Sequence, residues 1–308
     1  MPELPEVAGL GSFLAEELQG AVLEKIQITS FSVLKTADPP YAALEGRTLS
    51  AARRHGKFLD LELTAEAGGV PVQNGAAGGT GPPPLHLIFH LAKAGWVRYS
   101  TSPSTAVLKA GSGLIAARLR FTQQGQARGL DLTEAGTRKS LALYVVRQPS
   151  DVPGIASLGP DPLAADFGYP ELARLLATGS GQIKGLLRNQ SVLAGIGNAY
   201  SDEILHAARI SPFAIAKSLD VRHVQDLYQA IESVLGEAVS SAVGKAASEL
   251  KDAKRSSMRV HGRAGQACPV CGDTVREVSF ADRALQYCPH CQTEGKILAD
   301  RRTSKFLK

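Results

Sequence analysis

The first six residues of the chain, MPELPE, are of types that can do covalent chemistry. If Met1 is removed, Pro2 presents a secondary amine, and an N-terminal amine titrates near pH ~8, so part of it is uncharged at neutral pH. Such an amine can attack a carbonyl-like carbon and form an iminium, as a lysine does in a Schiff base. Glu3 and Glu6 follow closely enough to handle the protons that this chemistry releases and consumes.

The same stretch also fits an ordinary helix start. An early proline and acidic side chains in the first turn are typical of a helix N-terminus. Residues 7–18 then carry apolar side chains at helical spacing, with Gly20 as a stop. The stretch alone leaves both interpretations open, so the rest of the chain must decide between them.

All four cysteines lie in one short window as two C-x2-C pairs, sixteen residues apart. Each pair can form a tight knuckle, so the spacing predicts a zinc ribbon with tetrahedral thiolate ligands. The predicted ligands are Cys268, Cys271, Cys288 and Cys291. Four thiolates leave no open position for catalysis, so we expect one structural Zn²⁺ per chain. Disulfide bonds are the alternative, and they are rare in a chain without a secretion signal.

Length and composition are those of a soluble protein with more than one domain. A chain of 308 residues is long enough for two domains or slightly more. Its apolar content of 44% is ordinary, and no apolar run approaches the ~20 residues of a membrane span. The start lacks the basic region and apolar core of a secretory signal. These features predict a cytoplasmic protein with no membrane association.

The net charge of +5 is concentrated near the C-terminal end. Residues 251–308 hold twelve Lys and Arg against six Asp and Glu, so the rest of the chain is close to neutral. Phosphate-rich partners would explain such a basic region. A merely solvated tail is the alternative.

The periodicity of apolar residues changes along the chain and predicts its domains. Strand patterns dominate up to residue 147, a Pro-rich linker follows at 149–155, and helical patterns dominate beyond it. The Gly- and Pro-rich segment 66–84 is expected to be mobile or disordered. The predicted parts are a β-rich domain with a leading helix at 1–148, a helical domain at 149–262, the zinc ribbon at 263–295 and a basic tail at 296–308.

One turn between two predicted helices, GIGN at 195–198, is a candidate phosphate-binding site. Gly195 and Gly197 permit tight backbone turns, and Asn198 is an N-cap residue type. Free N–H groups at a helix N-terminus bind phosphate readily. A plain connection between helices is the alternative.

The PELPEV start, the GIGNAY turn and the four-cysteine ribbon together resemble the formamidopyrimidine-DNA glycosylase and endonuclease VIII family of base-excision repair enzymes. The likeness runs from residue 2 to residue 291 and includes RRHGKFLDLEL at 53–63 and FHLAKAG at 89–95. It implies an α+β multidomain fold: an N-terminal β-sandwich with a leading helix, a helical domain with a helix-two-turns-helix motif, and a C-terminal zinc ribbon.

The resemblance also implies an activity and a partner. The family combines glycosylase and abasic-site lyase activities without an organic cofactor. We therefore expect a monomer, associated with the nucleoid, that binds double-stranded DNA with a damaged base or an abasic site. The base would be flipped out, the amine would form an iminium with the sugar, and β-elimination, with δ-elimination as a further step, would cut the strand.

The resemblance assigns a role to each matching residue. Pro2 matches the nucleophile that attacks the sugar C1′, Glu3 the acid that works on the sugar or lesion, and Glu6 a supporting carboxylate. Lys57 matches a lysine that meets the phosphate beside the lesion and assists elimination. The residues that match ligands of the DNA backbone are His90, Asn198 and Arg283. Without the motifs, Lys57 and His90 would pass for ordinary surface or strand-end residues.

Two departures concern lesion recognition. The family's wedge uses a Met and an Arg-Phe pair, whereas this chain has Lys93 at the first place and TEAGTRKS at 133–140 at the second. Arg138 and Lys139 could partly substitute for the pair, but a solvated loop is the favoured interpretation. The segment 253–260 is also too short for the loop that covers a flipped purine in one branch of the family. We therefore hypothesise weak base discrimination with abasic-site cleavage retained.

Two functions of another class compete with the enzyme. A non-catalytic binder of damaged DNA would use the same scaffold, but it has no need for the amine, the two carboxylates and Lys57. A zinc-ribbon module for general nucleic-acid binding leaves the N-terminal stretch unexplained. The enzyme is the leading hypothesis.

Overall fold

The computed structural model describes most of the chain and divides it into two compact units. The described residues are 1–65, 82–109, 111, 113–135, 139–280 and 284–299. Unit 1 comprises residues 1–2, 6–156 and 243–250. Unit 2 comprises residues 3–5, 157–242 and the described residues from 251 onwards. The predicted domain bounds stay predictions, and most of segment 66–84 and most of the basic tail lie outside the described residues.

Unit 1 is built on one antiparallel sheet of eight strands, in the order β5-β7-β6-β1-β2-β3-β4-β8. The strands are β1 (Val22–Ile28), β2 (Thr48–His55), β3 (Phe58–Thr64), β4 (Leu85–His90), β5 (Gly95–Ser100), β6 (Ile115–Gln123), β7 (Gln126–Glu134) and β8 (Ala142–Val146). Helix α1 (Leu4–Leu18) precedes them and α2 (Pro153–Ala156) follows them. Short 3₁₀ turns lie at Phe31–Val33, Tyr41–Leu44 and Pro149–Asp151.

The sequence periodicity explains how α1 packs on this sheet. Leu10, Leu14 and Leu18 recur every four residues, so they share one helix face, and all three are fully buried. A Cβ on Gly11 would lie 3.5 Å from a methyl group of Leu59 on β3, which places the helix against that strand. Gly20 has φ +76° and ends the helix as expected.

Strand β4 is buried on both faces of the sheet. Leu87 and Phe89 are fully buried on one face, and Ile88 packs on the other face with Val146 and Val152. The segment after β8 therefore covers the second face of the sheet. This arrangement explains the continuous apolar run at residues 87–89 of β4, whereas the sequence of β3 alternates.

Unit 2 combines a helical bundle with a small ribbon. Its helices are α3 (Tyr169–Ala177), α4 (Ile183–Arg188), α5 (Asn198–Ala207), α6 (Val221–Ala242), α7 (Leu250–Ser257, whose first residue belongs to unit 1) and α8 (Pro289–Thr293). A 3₁₀ turn lies at Ala216–Ser218, and the ribbon strands are β9 (Arg276–Ser279) and β10 (Ala284–Tyr287). Leu227, Ile231 and Leu235 recur along α6 and are fully buried in the core of the bundle.

The predicted α+β fold class is confirmed: a leading helix and an eight-stranded β-domain are followed by a helical domain and a C-terminal ribbon with the four-cysteine cluster. In the part of the chain that the structure describes, none of the helices combines the length and apolar character needed to cross a membrane.

Candidate active site

Glu3 occupies the N-terminus of helix α5 within unit 2. Its Oε2 accepts hydrogen bonds from the backbone N–H groups of Gly197 (2.7 Å) and Tyr200 (3.2 Å), and its Oε1 accepts one from Ala199 (3.0 Å). These donors have no partner inside the helix, and the helix dipole favours a negative charge there. The anion site that the GIGN turn predicts is therefore filled by a carboxylate of the same chain.

The position of Asn198 differs by one residue from the prediction. The N-cap is Gly197, which makes no side-chain cap, and Asn198 is the first residue of α5. Asn198 does not need to cap the helix because the Glu3 carboxylate already binds the free N–H groups. Its amide nitrogen instead donates a hydrogen bond to the carbonyl of Ala284 at the start of β10 (2.8 Å).

Both glycines of the turn are required by close approaches. A Cβ on Gly197 would lie 2.4 Å from Cδ of Glu3, so any larger residue would displace the carboxylate. Gly195 has φ +89°, and a Cβ there would lie 2.8 Å from Cβ of Leu4. The N–H of Leu4 also donates to the carbonyl of Gly195 (3.0 Å). The turn thus holds the start of the chain as well as the start of α5.

Pro2 and Glu6 belong to unit 1. Both are buried, with Glu6 only 3% exposed, whereas Met1 is half exposed. Helix α1 begins at Leu4 and carries Glu6 in its first turn, so the helix-start interpretation is right. It does not exclude the catalytic one, because Pro2 precedes the helix and its nitrogen becomes an amine once Met1 is removed.

Lys57 and His90 lie close together in unit 1. Lys57 follows Gly56 in the turn between β2 and β3 and is only 7% exposed, so it is not an ordinary surface lysine. His90 ends β4 opposite Phe58, with 4.9 Å between the ring centres. Burial, and then the nearby charge of Lys57, lower the pKa of His90 to about 4. His90 is therefore neutral at physiological pH and can offer an N–H but no positive charge.

The remaining predicted contacts are only partly described. Arg283 and Arg138 lie outside the described residues. Lys93 is exposed in the turn between β4 and β5, and Lys139 donates a hydrogen bond to the carbonyl of Glu134. Asn198 contacts Ala284, the residue that follows Arg283 in sequence.

A buried ion network supports α5 from behind. Nζ of Lys184 on α4 lies 2.6 Å from Oδ1 of Asp202 and donates to the carbonyl of Asn198 (3.1 Å). The other oxygen of Asp202 lies 2.7 Å from Nδ1 of His261. Next to it, Glu203 accepts the backbone N–H groups of residues 259–261. Because buried charges are stable only when paired, this network fixes α4, α5 and the segment after α7 together.

Sequence reasoning missed Lys254. It treated the segment 253–260 only as too short to cover a base, whereas most of this segment is helical and belongs to α7. Nζ of Lys254 lies 3.7 Å from Oε1 of Glu3 and 4.8 Å from the centre of the Tyr200 ring. The run of basic residues in this segment was the only sequence signal that could have drawn attention to it.

The four cysteines form a cluster that fits zinc. Their sulfur atoms all lie within 4.8 Å of one another, with 3.9 Å between Cys268 and Cys291 and 3.4 Å between Cys271 and Cys288. Thiolates at 2.3 Å from a tetrahedral zinc would be roughly 3.8 Å apart, whereas disulfide sulfurs would be about 2.05 Å apart. The spacing therefore excludes disulfides here. Nε2 of His206 lies 3.3 Å from Sγ of Cys268 and supports this ligand from α5.

Removal of the metal should unfold the ribbon and leave the rest of the chain folded. The ribbon has two small buried clusters, one of Val260 and Val275 with two of the cysteines and one of Val278, Leu285 and Tyr287 on its strands. We expect these clusters to be too small to hold the strands without zinc. Treatment with a chelator should release about one zinc per chain and expose residues 264–299 to limited proteolysis. Added Zn²⁺ should restore protection. Equal protection of the metal-free protein would contradict the structural role.

Family comparisons match the chain in three consecutive parts. The "Formamidopyrimidine-DNA glycosylase N-terminal domain" matches residues 1–138, and the "Formamidopyrimidine-DNA glycosylase H2TH domain" matches residues 158–250. The "Zinc finger found in FPG and IleRS" matches residues 265–293. The order of the parts is the one that the sequence resemblance implies.

Individual proteins and a solved structure are also similar to this chain. A formamidopyrimidine-DNA glycosylase of Symbiobacterium thermophilum is 32% identical, and the match covers 98% of this chain and 93% of that protein. An uncharacterized formamidopyrimidine-DNA glycosylase-like protein of Mycobacterium tuberculosis is 59% identical, over 49% of this chain and 95% of its own length. The crystal structure of MutM (Fpg) from Thermus thermophilus has 30% identity and a TM-score of 0.74, covering 96% of this chain and 100% of that one.

Proposed function

Because this chain belongs to the formamidopyrimidine-DNA glycosylase family and is a DNA-repair glycosylase, we propose that it also cleaves the strand at abasic sites through its Pro2 amine. Oxidised bases and abasic sites in double-stranded DNA are the proposed substrates. The single observation that carries the proposal is the position of Glu3. Glu3 follows the proposed nucleophile Pro2 in sequence, and three backbone N–H groups at the start of α5 hold its carboxylate. A group that transfers protons needs to be held in a fixed position in this way.

The proposed reaction moves one proton from the amine to the sugar. The Pro2 amine attacks C1′ of the flipped nucleotide, and the base leaves with the electron pair of the glycosidic bond. Glu3 accepts the N–H proton of the amine and passes it to the ring oxygen O4′. The ring then opens and leaves an iminium between Pro2 and C1′. Glu6 would support this transfer as a second carboxylate.

Strand cleavage follows from the iminium. The iminium acidifies the proton on C2′, and its removal expels the 3′ phosphate in a β-elimination. Water then releases the sugar fragment, or δ-elimination removes the 5′ phosphate first. Lys57 is proposed to contact the phosphate beside the lesion. Its low exposure and its position beside His90 support a held cation.

The proposed DNA contacts are a small set of backbone ligands. His90, Asn198 and Arg283 would bind phosphates on either side of the flipped nucleotide, with His90 donating an N–H as a neutral ring. One structural zinc per chain would hold the ribbon. No organic cofactor is required, since the amine supplies the reactive group. We propose that the protein works as a monomer in the cytoplasm, at the nucleoid.

We further propose that base discrimination is weak. Helix α7 ends at Ser257, and the backbone N–H groups of residues 259–261 are already bound by Glu203, so the described stretch 250–261 has no free segment to close over a base. Cleavage of an abasic site should therefore be faster than excision of any damaged base. A panel of duplexes tests this expectation. Excision of 8-oxoguanine opposite cytosine as fast as abasic-site cleavage would contradict it.

Borohydride trapping tests the enzyme against the non-catalytic binder. Reduction of the iminium should link protein with processed Pro2 covalently to abasic DNA, and peptide mapping should place the link on Pro2. A non-catalytic binder would retard the same DNA in a gel without any covalent adduct. Absence of an adduct from protein whose intact mass shows the loss of Met1 would reject the proposed function.

A further inference from the structure

Lys254 is held in an unusual way for a lysine on a short, highly charged helix. Its side chain is 16% exposed, whereas that of the next residue, Arg255, is 83% exposed. Its Nζ lies 3.7 Å from Oε1 of Glu3 and 4.8 Å from the centre of the Tyr200 ring. A carboxylate and an aromatic face therefore hold the ammonium at the same time. Such contacts fix a side chain that would otherwise be among the most mobile.

The contact with Lys254 brings a charged partner to the Glu3 carboxylate. Glu3 is 2% exposed, and the backbone N–H groups that donate to it are dipoles without a full charge. Lys254 brings a full positive charge to Oε1, the oxygen that also accepts the N–H of Ala199. Opposite charges interact more strongly at a buried carboxylate than in water. Lys254 therefore both stabilises the ionised form of Glu3 and fixes the direction of Oε1.

We propose that Lys254 is a positioning residue for Glu3 and that release of a base depends on it. The proposal rests on the proposed function, in which Glu3 starts as a carboxylate, accepts the N–H proton of Pro2 and passes it to O4′. Glu3 is a carboxylate before it accepts the proton and again after it has passed the proton to O4′, and Lys254 stabilises and orients this ionised form at both points. It therefore acts through Glu3.

The dependence of the reaction rate on Lys254 should differ between two substrates of the same site. A nucleotide that still carries its base needs the ring to open after attack, so it needs the proton transfer through Glu3. A preformed abasic site exists partly as the open aldehyde and has no base to expel, so the amine can form the iminium with less help. Loss of Lys254 should therefore slow base release more than abasic-site cleavage.

Lys254→Met tests this difference, since methionine has a similar length and no charge. Arg255→Met is the matched control, because it removes the same charge from the adjacent, exposed position. Single-turnover rates are measured on a duplex with the damaged base that the wild type releases fastest and on a preformed abasic site. The rate of base release divided by the rate of abasic-site cleavage should fall about tenfold in Lys254→Met and stay within about twofold in Arg255→Met. A tenfold fall in this ratio corresponds to a barrier raised by ~1.4 kcal/mol for base release relative to abasic-site cleavage. Lys254→Arg should recover most of the ratio.

Other outcomes would overturn the inference. An unchanged ratio in Lys254→Met, equal slowing of both reactions, or no recovery in Lys254→Arg would each do so. If thermal melting shows that Lys254→Met does not fold, Lys254→Gln replaces it with the same expected ratio. The wild-type trapping experiment separates the two claims. An adduct with an unchanged ratio in the variants rejects only the role of Lys254, whereas no adduct from wild type rejects the proposed function itself.

Discussion

Protein that retains Met1 should form no borohydride-trapped adduct with abasic DNA, and its rate of strand cleavage should fall by at least about 10³-fold. With Met1 attached, the nitrogen of Pro2 belongs to an amide, has no proton to lose and cannot attack C1′. DNA binding should change little, because the proposed phosphate ligands are elsewhere in the chain. Intact-mass measurement identifies which form is present, and gel-based cleavage assays measure the rate.

Enzymatic removal of the extra residue from the same preparation is the matched control. A Leu inserted between Met1 and Pro2 keeps the start blocked. Removal of Met1, followed by cleavage of the Leu–Pro bond with an aminopeptidase specific for X-Pro bonds, should restore both the adduct and the cleavage. Recovery of activity in step with the mass change would link the reaction to the free amine. Undiminished trapping by the blocked form would show that another amine is the nucleophile.

Glu3→Gln should lose base excision by about 10²–10³-fold, as expected when a general acid–base group is removed. The amide has nearly the same size, but its NH₂ group cannot accept from the N–H donors that the carboxylate oxygens bind. The rate of cleavage at a preformed abasic site should fall by less than about tenfold. The aldehyde is already present at such a site, so the reaction depends less on proton transfer through Glu3. Single-turnover rates on the two substrates measure the difference.

Two further variants test whether the effect of Glu3→Gln is due to the carboxylate held at the start of α5. Gly197→Ala should show the same pattern with Glu3 intact, because its Cβ would lie 2.4 Å from Cδ of Glu3 and push the carboxylate out of place. Glu16→Gln removes a carboxylate from the exposed face of α1 and should behave as wild type. Equal loss on both substrates in Glu3→Gln would instead indicate that Glu3 is needed for the iminium itself or for folding.

The amino-acid sequence was sufficient to predict the parts whose chemistry lies in short, continuous stretches. The two C-x2-C pairs combine a residue type with a spacing that leaves few alternatives. The first six residues and the GIGN turn each left two interpretations open, and the catalytic roles of Pro2 and its carboxylates stay predictions. The cysteine cluster confirms this for the ribbon, since two close pairs need only a hairpin to meet. The order of strands and helices was predictable for the same reason, because periodicity is a local property.

What those parts contact became visible only in the folded chain. Glu3 and Gly197 are 194 residues apart, and no local pattern indicates that a carboxylate from the chain start fills the anion site of α5. Likewise, the sequence indicates only that Lys57 lies in a turn, whereas the structure buries it beside His90. In the sequence Lys254 is one of several basic residues, whereas in the structure it contacts Glu3. Such contacts depend on how distant elements pack and on which way each side chain points. The folded chain therefore has the Glu3 carboxylate at the site where the sequence predicted a phosphate, and Lys254 lies beside that carboxylate.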